Sequence, residues 1–196
     1  MVADLKEKGY NVLATGEMGI GNTTTSSAVC SVLLDQSVEK VTGKGAGLTN
    51  KDLEHKIEVI RQSIALNKVN ADDPLDVLAK VGGLDIAGMA GCYIGGAALN
   101  IPVFIDGFIS SVAALIAIRL VPECAPYLFP SHCSNEPAGR MILDAIGKQP
   151  YIFANMCLGE GTGAVMGFTI ADYAFKAYWE LPSFEQTNFG TYEELN

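Results

Sequence analysis

Three short apolar runs each stop at a glycine-rich or acidic turn and then give way to a helix-like stretch. This punctuation constrains the fold more than any other feature of the chain. Asn11 to Thr15 runs into Gly16, Gly19 and Gly21; Val103 to Ile105 runs into Asp106 and Gly107; Tyr151 to Ala154 leads to Gly159, Gly161 and Gly163. Short, wholly apolar runs suit strands buried on both faces, and strands alternating with helices pair in parallel. The expectation is an α/β fold, a three-layer parallel sheet with helices on both faces, Rossmann-like, with ligands beyond the strand C-terminal ends. At 196 residues, a single domain over 1–196 accommodates it.

The helices can be placed from their punctuation. Asn22 to Ser27 is a polar start that feeds Ala28, Val29, Val32 and Leu33. Thr49 and Asp52 have capping-box spacing for a long helix with Leu53, Ile57, Ile60, Ile64 and Val69 on its apolar side. Asp73-Pro74 opens a short helix that Gly82 and Gly83 break, Leu84 to Leu99 continues as helix, and Pro102 closes it. Ile109–Leu120, Glu136–Ile146 and Ala164–Trp179 read as further helices, while Pro122, Pro126 and Pro130 frame a loop. The closing segment from Leu181 is polar and is expected to cap the surface.

The uncharged stretch Ile86–Phe104 raises the question of a membrane span, given a mean hydropathy of +0.25. Its glycines, Asn100 and Pro102, and the absence of a basic flank, argue for a buried helix and strand instead. Gly88, Gly91 and Gly95 would let that helix press closely on a neighbour. The net charge of −9 repels nucleic acid, so an anionic ligand must be gripped by local backbone amides and a few cations. Five cysteines without a C-x-x-C pair, and no leader-like opening, lead us to expect a reduced cytoplasmic setting.

Two glycine loops could supply such a grip. Gly16-Glu17-Met18-Gly19-Ile20-Gly21-Asn22-Thr23 nearly matches the P-loop template, but Asn22 stands where its lysine belongs, which argues against an NTPase. It also misses the dinucleotide fingerprint, because Thr24 replaces the third glycine. What remains is a set of amides and a helix N-terminus able to face an anion, with a plain strand-to-helix turn as the alternative. Gly43 to Gly47 forms a second loop carrying Lys44, with Lys56 about two helical turns beyond the Thr49 cap.

Glu160 lies between glycines after an apolar run, where a carboxylate has little packing reason to be; partial burial would raise its pKa toward that of a general base. A solvated turn glutamate is the competing reading. Asp106 ends a buried run and Asp85 sits beside the Gly82–Gly83 pair; either could bind hydroxyls, although Asp85 could equally be a helix-start residue. His55 and His132 show no metal-ligand spacing. His132-Cys133-Ser134 lacks an evident acid partner or nucleophile elbow, so the segment is read as a substrate-contacting loop with Ser134 as a hydroxyl donor.

GEMGIGNTTT at 16–25, TGKGAGL at 42–48, DPLDVLAKVGGLDIAGMAG at 73–91, VFIDGFIS at 103–110, SHCSNEP at 131–137 and LGEGTGA at 158–164 together resemble the nicotinate-nucleotide:dimethylbenzimidazole phosphoribosyltransferase family, in order and over nearly the whole chain. The resemblance implies transfer of phosphoribose from nicotinate mononucleotide to 5,6-dimethylbenzimidazole, giving α-ribazole 5′-phosphate and nicotinate for the cobalamin lower ligand. It implies no metal and no organic cofactor, and a homodimer. By position, Glu160 corresponds to the catalytic carboxylate that takes the benzimidazole proton. Glu17, Gly19, Gly21 and Asn22 fall on the first nucleotide loop, Gly45 on the second, and Lys56 on a phosphate position. Asp106 and Ser134 fall on segments lining the nucleotide, and Asp85 on a nearby acid. Attack opposite the leaving nicotinate would account for the inverted linkage.

One departure is expected to matter. Family members carry an N-terminal segment before this region that helps form the benzimidazole pocket, so this chain resembles the C-terminal portion. Positioning two reactants can supply roughly 7 to 11 kcal/mol of a barrier, and part of a pocket forfeits some of that. The alternative is therefore a truncated module that binds nicotinate mononucleotide without turning it over, with a P-loop hydrolase as a more distant reading. An apolar area left exposed where the missing part packs, favouring self-association, is expected in either case.

Overall fold

The computed structural model describes residues 1–45 and 47–187. Its elements run α1 (Val2–Glu7), β1 (Leu13–Ala14), α2 (Asn22–Leu33), α3 (Val38–Val41), α4 (Asn50–Asn67), α5 (Pro74–Val81) and α6 (Leu84–Ala98). They continue with β2 (Val103–Ile105), α7 (Phe108–Leu120), a 3-10 helix over Pro122–Tyr127, β3 (Leu128–Pro130), α8 (Gly139–Ala145) and α9 (Thr162–Glu180). The architecture is mixed α/β: a small three-stranded parallel sheet, ordered β1-β2-β3, among many helices.

The sheet is smaller than the sequence suggests and differs at two points. β1 aligns Leu13 with Val103 and Ala14 with Phe104, and β3 aligns Leu128, Phe129 and Pro130 with Val103, Phe104 and Ile105. The proline-framed segment read as a loop thus contains a strand. Pro130 is tolerated because it ends the strand, where its missing N–H costs little. Conversely, Tyr151–Ala154 contributes only a single parallel bridge, His132 to Ile152. Ile152 is buried there while Phe153 is 75% exposed, so that segment touches the sheet edge at one residue only.

The helix caps follow the sequence. Thr49 accepts from the Asp52 amide and the Asp52 carboxylate accepts from the Thr49 amide, completing the capping box of α4. Asp73 caps α5 by accepting from Leu75 N at 3.0 Å, with Pro74 in the first helical position. The small-residue packing expected of α6 is real but partly displaced. Gly88 and Gly91 face open space, but Gly95 meets α1 as expected, a Cβ there lying 3.3 Å from Val2 Cγ2, and a Cβ at Gly96 would lie 2.6 Å from Val103 Cγ2. Gly96 is the residue that lets α6 approach β2. No helix among the described residues is long and apolar enough to cross a membrane.

Helices meet β2 from both sides. Val103 and Ile105 belong to the main core with α2, α6 and α7. Phe104 points the other way and packs against Phe129 (centroids 5.6 Å apart) and against Phe168 of α9 (4.8 Å, edge-on). Beyond that contact, α9 is bare: it buries only Gly163, Ala164 and Gly167, and Val165, Ile170, Tyr173, Phe175, Tyr178 and Trp179 are exposed. This is an exposed apolar area of the kind the sequence leads one to expect. Residues 188–196 of the polar closing segment lie outside the described residues.

Candidate functional site

The loops that follow the strands converge on one cavity of about 570 Å³. The first loop runs from β1 into α2, and Gly21, with φ +86°, takes the left-handed turn that starts the helix. Glu17, Gly19, Gly21 and Asn22 all line the cavity, with Thr23 and Thr24 of the first turn of α2. The second loop contributes Lys44, Gly45 and Gly47; Ala46 lies outside the described residues.

Lys56 reaches this place from α4. It is 7% exposed, and its Nζ donates to Thr23 Oγ1 at 2.8 Å and to the Gly43 carbonyl at 3.0 Å. One ammonium thus ties α4, the start of α2 and the second loop together, with its cation turned toward the cavity. Burial pushes the Lys56 pKa down, and the nearby Glu136 charge opposes the shift. Burial raises the pKa of Glu136 in turn, against the Lys56 charge. An anion seated on the amides at the α2 N-terminus would meet this cation and the positive end of the helix dipole.

The loop before α9, which borders the same cavity, is a left-handed run: φ is +78° at Gly159, +59° at Glu160 and +84° at Gly161. For a glutamate this conformation costs roughly 1–2 kcal/mol, and strain of this kind collects at functional sites. The partial burial expected for Glu160 is not found; its side chain is exposed at the cavity mouth. Two contacts fix the loop. The Glu160 amide donates to the Glu17 carbonyl at 3.3 Å, and Gly16 sits so close to Gly161 that a side chain there would overlap it. First and last loops are therefore neighbours, and Glu17 and Glu160 stand side by side.

Asp106 has a different place from the one expected. Its Oδ2 accepts from Gly161 N at 2.9 Å, and its Oδ1 from Gly163 N at 2.7 Å and Ala164 N at 3.2 Å. Asp106 is 2% exposed and borders the cavity, but its carboxylate is engaged by the N-terminus of α9. It anchors the Glu160 loop to the end of β2. Ser134 lines the cavity, and its Oγ accepts from Glu136 N at 3.3 Å.

Asp85 does not border the cavity. It lies in the first turn of α6 and acts on Glu17, whose pKa is raised first by burial and then by the Asp85 charge. Asn22 Nδ2 donates to the Glu17 carboxylate. Sequence reasoning gave no special titration to Glu17 and set His132 aside for want of an acid partner. The structure puts His132 on the cavity wall, within reach of the Asp106 charge. Thr23, which accepts from Lys56, and Glu136, whose charge acts on it, were likewise not singled out. The one available signal was their position inside the same glycine-loop and SHCSNEP segments.

Comparison with known proteins gives the family of the chain. Residues 1–189 match the family described as DBI_PRT, phosphoribosyltransferase. The nicotinate-nucleotide–dimethylbenzimidazole phosphoribosyltransferase of Ruminiclostridium cellulolyticum is 53% identical over 195 residues, covering 100% of this chain and 55% of the relative. That of Acetivibrio thermocellus is 49% identical over 193 residues, covering 98% and 55%. The crystal structure of CobT from Thermus thermophilus superposes with a TM-score of 0.88 at 33% identity, covering 94% of this chain and 55% of that one. The chain spans about half the length of the curated relatives it matches.

Proposed function

This chain belongs to the DBI_PRT phosphoribosyltransferase family, and from that premise we propose that it carries the nucleotide-gripping and proton-accepting part of a nicotinate-nucleotide:dimethylbenzimidazole phosphoribosyltransferase. The 5′-phosphate of nicotinate mononucleotide sits on the α2 N-terminal amides, Gly45 and Lys56. A ring nitrogen of 5,6-dimethylbenzimidazole attacks the anomeric carbon. The bond to the nicotinate nitrogen breaks and its electron pair leaves with nicotinate. The proton on the other benzimidazole nitrogen passes to Glu160. Atoms and charge balance without a metal or organic cofactor, and the product is α-ribazole 5′-phosphate.

The observation that carries this reading is that Lys56 and the amides of the first loop border the same cavity as Glu160. A cation and helix terminus for the phosphate, and a carboxylate for the proton, then act on one bound nucleotide. Asp106 serves the reaction by holding the Glu160 loop, and Asp85 by acting on Glu17. The finer architecture, a three-layer Rossmann-like single domain, belongs to the same proposal, as do a homodimeric assembly and a cytoplasmic setting.

The exposed face of α9 and the share of the relatives covered favour a second reading, in which the chain binds nicotinate mononucleotide without turning it over. Turnover would then depend on the remaining part of the longer relatives. Incubation with saturating nicotinate mononucleotide and dimethylbenzimidazole separates the two. Formation of α-ribazole phosphate that Glu160→Ala lowers by about 10²-fold or more supports the enzyme. Calorimetric binding without product supports the binding module. Equal product from both proteins overturns the assignment of Glu160.

A further inference from the structure

The reaction as written leaves two buried polar side chains of the cavity, Ser110 and His132, without a role; Ser110 Oγ is turned to Met89 Sδ. His132 follows β3, is 2% exposed and is pinned to the neighbouring segment by its bridge to Ile152. Its Nδ1 lies 3.1 Å from Ser131 Oγ. The serine hydroxyl has a single proton, and it is donated to the Ile105 carbonyl at 2.8 Å. Ser131 therefore meets the ring as an acceptor, and the imidazole hydrogen must sit on Nδ1.

The consequence falls on the opposite nitrogen. Burial pushes the His132 pKa down, with the Asp106 charge working against that shift, so the ring is neutral near pH 7 and Nε2 presents a bare lone pair. Nε2 has no hydrogen-bond partner among the described residues, and it lies 3.5 Å from where a Cβ would stand at Gly107. Gly107 and His132 both border the cavity. A lone pair there repels a phosphate or carboxylate and welcomes a hydroxyl. An acceptor that borders the cavity without a protein partner is satisfied when a ligand supplies the donor.

Resting on the phosphoribosyl reading above, we propose that His132 Nε2 accepts a hydrogen bond from a ribose hydroxyl of the bound nucleotide and so selects ribosyl over deoxyribosyl phosphates. The sugar is the part of the ligand that must bridge the phosphate end at Lys56 and the anomeric end at Glu160. His132 stands next to Asp106, which holds the Glu160 loop, and so borders that bridge. Ser131 is a positioning residue in this arrangement, because it sets which nitrogen carries the hydrogen.

Calorimetry on the whole chain tests this with nicotinate mononucleotide, its 2′-deoxy and 3′-deoxy analogues, and inorganic phosphate. The wild type is expected to bind the ribo form about tenfold more tightly than at least one deoxy form, the size of one well-made hydrogen bond. His132→Phe should bind all three nucleotides at the weaker level while binding phosphate as the wild type does. His132→Gln, whose amide oxygen can accept at the same place, should recover part of the preference, and Ser131→Ala should reduce it. If His132→Phe does not fold, the Gln and Ser131→Ala variants decide by the same readout. A preference absent from the wild type, or undiminished in His132→Phe or in Ser131→Ala, overturns the assignment while leaving the phosphoribosyl reading in place. Failure of the wild type to bind nicotinate mononucleotide at all overturns both.

Discussion

The helices on the two sides of β2 are in different states of completion. α7 buries an unbroken run from Ser110 to Ala117, and it shares the main core with α2 and α6. α9 is longer, at 19 residues against 13, yet only the small residues Gly163, Ala164 and Gly167 are covered. It is held at its N-terminus by Asp106 and at one further turn by Phe104. The difference teaches where stability and chemistry reside. The proposed phosphate grip is built on the finished side of the molecule, whereas Glu160 hangs from the end of a helix whose outer face has no partner among the described residues.

Substitutions sharpen that contrast. On the finished side, Leu115→Ala empties a fully buried site and is expected to lower unfolding free energy by about 2–5 kcal/mol, measured by urea titration. A loss below about 1 kcal/mol would mean that α7 is not the packed centre described. Next, Lys56→Met removes the buried cation. Nicotinate mononucleotide affinity should fall by about tenfold or more, in line with a charge-assisted hydrogen bond, when followed by calorimetry at pH 7.

The Lys56 variant also carries a pH signature. Because burial lowers the pKa of Lys56, its charge disappears at a lower pH than that of an exposed lysine. Wild-type affinity should therefore decline as pH rises into the alkaline range, before ordinary lysines titrate. Lys56→Met should show no such decline, and parallel profiles for the two proteins would contradict the assignment.

Smaller effects are expected on the unfinished side. Glu160→Gly removes a side chain from a left-handed backbone position and should stabilise the chain by about 1 kcal/mol, while lowering product formation about 10²-fold or more, as for Glu160→Ala. A destabilised glycine variant would show that the loop conformation is not strained. Smallest of all, Trp179→Ser on the bare face of α9 should change stability by no more than about 0.5 kcal/mol and reduce self-association in sedimentation runs. A loss of several kcal/mol would show that this face is covered within the chain itself.

What was legible in the sequence is what is local. The Thr49–Asp52 capping box, the Asp73–Pro74 start of α5 and the polar opening of α2 are short-range devices, and each appears where its residues predict it. The glycine loops are local too, and the resemblance they carry named Glu17, Asn22, Gly45 and Glu160 as candidates, all four of which border the cavity. The missed features join distant segments. β3 was masked by Pro130, which sits harmlessly at its end, and by the prolines of the 3-10 helix before it. Asp106 looked free to bind a ligand because its three amide partners come more than fifty residues later. The raised pKa of Glu17 arises from burial and from Asp85 across the fold, which no spacing rule records. An exposed apolar area was expected, but the apolar run of α9 reads like any buried helix, and only the assembled molecule locates the bare face there.

The account turns on the phosphate grip and Glu160 serving a single ligand, and a crystal structure of the chain bound to α-ribazole 5′-phosphate examines that most directly. The expected result has the phosphate on Lys56 and the amides of the first and second loops. The benzimidazole nitrogen not bonded to ribose should lie within hydrogen-bonding distance of the Glu160 carboxylate. A phosphate held elsewhere, or a base turned away from Glu160, would contradict the account.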